Sequence, residues 1–135
     1  MPTPHTQHRE STAAASSALT ALRVAAVASV VVLAWQFVTA GSLIDGGSIG
    51  LHAIGAIVLH VVTGLAALGA LWLLVTTRGS VWPTVVAVVV FVLTFVQAYY
   101  GGYSTMFIHV PGAMLLTIGA LWLAYWSLAR HGARP

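Results

Sequence analysis

Four apolar stretches separated by short polar breaks constrain this chain more than any other feature. They run approximately over 19–40, 50–76, 81–101 and 105–128, each about the ~20 residues that cross a hydrocarbon core. The second is long enough to tilt or to protrude from the bilayer. Seven formal charges, five basic and two acidic among 135 residues, cannot coat a soluble domain of this size. Lipid removes that requirement, because it solvates apolar side chains on the outside of the protein. With 59% hydrophobic residues and a mean hydropathy of +0.96, the chain reads as an all-α, polytopic membrane protein with the bilayer as its first partner.

The breaks carry turn chemistry. Asp45-Gly46-Gly47 lies between the first two stretches, Arg78-Gly79-Ser80 between the second and third, and Gly101-Gly102-Tyr103-Ser104 before the fourth. Connections this short make each consecutive pair an antiparallel hairpin, so the expected fold is an up-down bundle of four transmembrane helices. Residues 1–17 are polar and are expected to be a disordered cytoplasmic tail. Residues 18–130 form the membrane domain, and 131–135 a second tail.

Orientation follows from the arginines. Arg9 and Arg23 precede or open the first stretch, Arg78 lies between the second and third, and Arg130 and Arg134 follow the fourth. The opposite side holds Asp45 and no base. The positive-inside rule places both termini in the cytoplasm, in a bacterial cytoplasmic membrane. Val38-Thr39-Ala40 before Gly41 has the small-residue pattern of a signal cleavage site. The apolar stretch is longer than a signal core, however, and the repeat below needs it, so the first helix is expected to be retained.

Several chemistries fall away. The sequence pI near 10.0 reflects a scarcity of acids, and five dispersed arginines form no patch for nucleic acid. The absence of cysteine removes disulfides, thiolate metal sites and cysteine nucleophiles. Glu10 and Asp45 are the only acids and fall on opposite sides, so no paired carboxylates or triad serve hydrolysis. The tryptophans and tyrosines cluster near span ends, as interfacial anchors do.

The chain also repeats itself. Gln36-Phe37-Val38-Thr39-Ala40-Gly41 and Gln97-Ala98-Tyr99-Tyr100-Gly101-Gly102 both read Gln, three residues, a small residue, then Gly. His52-Ala53-Ile54-Gly55-Ala56 and His109-Val110-Pro111-Gly112-Ala113 both read His, two residues, Gly, Ala. Polar residues are rare inside spans, so the Gln and His matches carry the comparison. They imply one hairpin used twice in the same orientation, about a pseudo-two-fold axis along the membrane normal. His52 and His109 then face one another near the outer side, with Gln36 and Gln97 as a second pair.

Imidazole within a bilayer is costly unless it is hydrogen-bonded, protonated for a purpose or bound to metal. Two imidazoles converging across an axis suit the iron of a b-type haem, which takes one nitrogen on each face. Gly55 and Gly112, one turn after each His, would let a macrocycle approach the backbone, or equally let helices pack closely. The alternatives are another metal, a quinone, or structural histidines hydrogen-bonded to Gln36, Gln97 or loops. His60 lies eight residues beyond His52, ~12 Å deeper and ~80° around the helix. It cannot join His52 on one iron, but it is an alternative ligand in its place. No base stands near the site to anchor propionates. Thr39, Ser42, Ser48, Tyr99, Tyr100, Tyr103, Ser104 and Thr105 are the candidate donors. Pro111 either interrupts a helix beginning near Thr105 or opens one beginning near His109.

These residues resemble one four-helix half of the haem A synthase family. The stretch from Val96 to Trp126, with Gln97, Gly101-Gly102 and His109, is the nearest part, and Trp35 to Leu74, with Gln36, Gly41 and His52, is similar more loosely. In that family each half carries a His on its second and fourth helices near the outer face. The resemblance implies haem b on this architecture. It does not imply the synthase reaction, because the family has eight spans, an acid shortly before the second-helix His, where Ile49 and Gly50 stand here, and in many members a loop cysteine pair. The pattern is also similar to small four-helix bacterial membrane proteins, for which it implies no activity. The expected function is a small b-type cytochrome, carrying electrons or handling haem, alone, as a homodimer or in a membrane redox complex. As an enzyme it would be a haem oxidoreductase. The alternative is a non-catalytic assembly factor or complex subunit without cofactor, and a transporter comes third.

Overall fold

The computed structural model describes residues 4–130, with side chains from residue 9 onward, and these residues are helical except at three short connections and at Arg130. The helices are α1 (Pro4–Ile44), α2 (Gly50–Thr77), α3 (Trp82–Tyr99) and α4 (Met106–Ala129), the last preceded by a 3-10 turn over Tyr103–Thr105. No strand occurs among the described residues. Each apolar stretch falls on its own helix, and all four helices are long and apolar enough to cross a membrane.

The N-terminal expectation is corrected. Residues 4–17 belong to α1 and are not a disordered tail; residues 1–3 and the 131–135 tail lie outside the described residues. Pro4 opens α1, where its missing N–H costs nothing, and no breaker follows before Gly41. Extending an existing helix through Ala13-Ala14-Ala15 is cheap compared with nucleating one. The 41 residues of α1 measure ~60 Å at ~1.5 Å each, twice the ~30 Å of a hydrocarbon core, so its first part projects beyond any span. Arg23 lies well inside α1, and its Nε donates to the carbonyl of Ser127 at 2.8 Å while Nη2 donates to that of Arg130. A cation thereby satisfies the open C-terminal carbonyls of α4.

At the other end of α4 the helix begins at Met106, so Pro111 lies inside it. This is the interrupted register of the two that the sequence allows. The proline removes the N–H that would bond the Phe107 carbonyl.

The helices stand at four corners. α1 packs on α2 and α4, and α3 packs on the same two, while no Cα of α2 comes within 8 Å of one in α4. The centre is built from small side chains: Ala18, Leu22, Ala25 and Ala26 of α1 against Ala66, Ala67, Ala70 and Leu73 of α2. A Cβ on Gly69 would lie 3.1 Å from the Leu22 backbone, a measure of how closely those helices approach. The buried hydroxyls of Ser29, Thr63 and Ser127 bond carbonyls of their own helices, which a water-free interior requires. Outside, Leu68, Leu115 and Ile118 remain 64%, 64% and 62% exposed. Such a surface suits lipid and not water.

Candidate functional site

The residues singled out by the repeat gather at one end of the bundle. His52 sits in the first turn of α2, and His109 in the first full turn of α4. The two rings lie within electrostatic reach of one another, although their helices occupy opposite corners. Both are partly buried.

Each ring is held through Nδ1. The Nδ1 of His109 is 3.0 Å from the carbonyl oxygen of Gln97. A carbonyl only accepts, so Nδ1 carries the proton. The Nδ1 of His52 is 3.0 Å from Oγ1 of Thr39. That hydroxyl has one proton, already directed at the carbonyls of Trp35 and Gln36, both at 3.1 Å, so it accepts from His52. In the neutral form both histidines are therefore Nδ1–H tautomers, and the lone pair is on Nε2 in each. This is how metal-ligating histidines are oriented, with the second nitrogen donating to a carbonyl or hydroxyl.

His60 obeys the same accounting elsewhere. Its Nδ1 is 2.8 Å from Oγ1 of Thr94, whose own proton goes to the Phe91 carbonyl at 2.6 Å. Its ring stacks on Phe95 with centroids 4.2 Å apart. His60 thus belongs to the α2–α3 contact and is tied to neither His52 nor His109.

The glutamines and glycines pair off within each hairpin. In the orientation that satisfies both its atoms, the Gln36 amide donates to the His52 carbonyl at 3.0 Å and accepts from the Ala56 N–H at 3.2 Å. It lies where a Cβ on Gly55 would be, and the Gln97 amide lies where a Cβ on Gly112 would be. The surface of each glycine that a macrocycle was expected to use is occupied by an amide from the neighbouring helix. Only glycine admits a side chain that close to a helix backbone. Gln97 is 8% exposed, and its Oε1 has no hydrogen-bond partner.

The candidate propionate donors fare unequally. The hydroxyl protons of Thr39 and Thr105 are committed to backbone carbonyls, whereas Tyr99 and Tyr103 are largely exposed. Sequence reasoning did not foresee Thr39 as the partner of His52. The signal was available: it lies three residues beyond Gln36 on the helix facing His52. No group of three or more His, Cys, Asp or Glu able to hold a metal ion occurs among the described residues.

Compared with known protein families, curated proteins and solved structures, the chain gives no match.

Proposed function

We propose that this is a multi-pass membrane protein that binds b-type haem between α2 and α4, where Nε2 of His52 and of His109 would hold it. One observation carries the reading: two imidazoles on opposite corners of the bundle, in electrostatic reach of each other, each have Nδ1 committed as a donor and the Nε2 lone pair unclaimed. That donor set fits a haem iron. Bound haem would supply one-electron redox chemistry. The chain's residues would orient the two imidazoles through Thr39 and the Gln97 carbonyl, and exclude water with the apolar layer beneath. Electron transfer or haem handling follows as the activity class.

The finer architecture belongs to the same proposal. Contacts from Thr39 to His52 and from Leu22 to Gly69 run in opposite order along α1 and α2, as an antiparallel hairpin requires. Gln97 with His109, and Val90 with Gly119, do the same for α3 and α4. They support an up-down bundle of two like hairpins, with both termini on the arginine-bearing side and that side in the cytoplasm.

The test is a reduced-minus-oxidised spectrum of protein purified after expression with haem supply. The expected result is a b-type signal, abolished by His52→Ala and by His109→Ala and kept by His60→Ala. Colourless protein that cannot be reconstituted with haem would remove the proposal, leaving a structural membrane subunit. Loss with His60→Ala alone would move the ligand to that residue.

A further inference from the structure

The opposite end of the bundle holds a second feature, unrelated to the histidines. A groove of about 420 Å³ opens between α1 and α4, lined by Arg23, Val24, Val27, Ala28 and Leu128. Its walls are almost wholly apolar, Arg23 lining it with carbon and its N–H groups standing outside the lined surface. Arg23 has five N–H donors, and two of them reach the Ser127 and Arg130 carbonyls. The other three have no described partner.

Among the described residues no carboxylate stands near that charge. The chain has two acids. Asp45 is in the turn after α1, at the far end of the bundle, and Glu10 is thirteen residues before Arg23, ~20 Å along the axis. Arg130 adds a second cation at the same level, resting 4.9 Å over the Trp126 ring. Val27 and Ala28 lie one helical turn from Arg23 toward the middle of the bundle, so the apolar groove runs inward from the level of Arg23.

We propose that this groove is a binding site for an anionic phospholipid. The phosphodiester pairs with the remaining N–H donors of Arg23, and an acyl chain lies along Val24, Val27, Ala28 and Leu128. The guanidinium fork matches phosphate oxygens in geometry as well as charge, and basic pockets between spans on the cytoplasmic side hold such headgroups. A zwitterionic lipid fills the same groove with less gain, because its headgroup brings its own cation to the phosphate.

The experiment is native mass spectrometry of the full chain in detergent, titrated with phosphatidylglycerol or with phosphatidylcholine of the same chains. Wild type is expected to retain the anionic lipid about tenfold more strongly, the scale of one charge-assisted contact. Arg23→Gln should equalise the two lipids. Because Arg23 also holds the end of α4, that variant risks misfolding. Val24→Trp therefore serves beside it, since Val24 is 66% exposed and its replacement fills the groove without touching Arg23. It should lower retention of the anionic lipid severalfold. Equal retention of both lipids by wild type overturns the proposal. So does undiminished retention by Val24→Trp, or an Arg23→Gln protein that folds and keeps the preference.

Discussion

The two hairpins share a sequence pattern, and both hold the histidine at the backbone of the matching glutamine, yet the first adds a hydroxyl and the second does not. In the first, α1 continues past Gln36 to Ile44, so the Gln36 carbonyl stays inside a helix and also accepts from Thr39. The His52 ring is held both by that carbonyl, through a backbone hydrogen bond, and by the Thr39 hydroxyl at 3.0 Å. In the second, α3 stops at Tyr99, and the Gln97 carbonyl is one of the four that a helix end leaves open. His109 takes that carbonyl directly. The position matching Thr39 is Tyr100, and no hydroxyl is needed there. The glutamine amides differ as well: that of Gln36 bonds the α2 backbone at both atoms, whereas the Oε1 of Gln97 is buried and unpaired.

The largest asymmetry to break is proline. α4 carries Pro111 where α2 carries Ile54. Ile54→Pro would remove the N–H that bonds the Gly50 carbonyl and force a ring against it, within the first two turns of α2. A cost of ~3 kcal/mol is expected, seen as a lower unfolding midpoint in micelles. The reverse change, Pro111→Ala, should leave the protein no less stable. If Ile54→Pro is tolerated without loss, α2 and α4 begin more alike than their bonds indicate.

Thr39→Val comes next. The change keeps shape but removes one of the two acceptors at the His52 ring and leaves the Gln36 carbonyl, at a cost of ~0.5–1.5 kcal/mol, that of one neutral hydrogen bond. The ¹⁵N signals of His52 should move toward a mixture of tautomers, while those of His109 stay fixed, because its acceptor, the Gln97 carbonyl, is untouched. Unchanged His52 signals would show that Thr39 does not set its tautomer.

The four helices were legible because hydropathy alone carries them: charges are too few to interrupt a span except at the turns. The extension of α1 to Pro4 was hidden, since Ser, Thr and His suggest a loop when the helix they prolong is ignored. The pairing of the site residues within hairpins was half legible. Matching Gln and His positions pointed to shared placement at one end, but not to which atoms would bond. Gly55 and Gly112 show why. Their spacing announces that something approaches the backbone closely, and spacing is blind to whether that is a ligand or the glutamine one helix away.

Those two glycines provide the smallest effect, at Gly112, and the most discriminating test. Alanine at either position places a Cβ on a glutamine amide, so the amide must move. Displacing Gln36 breaks bonds to the His52 carbonyl and the Ala56 N–H, whereas displacing Gln97 leaves an oxygen that already lacked a partner. Two neutral hydrogen bonds are worth ~1–2 kcal/mol together. Gly55→Ala should therefore destabilise the fold by about that much, and Gly112→Ala by ~0.5 kcal/mol or less, the alanine's better helix propensity offsetting part of the strain. Double variants isolate the amide: with Gln36→Ala in place, Gly55→Ala should become nearly neutral, whereas Gln97→Ala should change the effect of Gly112→Ala little. Equal costs at the two glycines would mean that the Gln97 amide has a partner after all and that the hairpins are held alike.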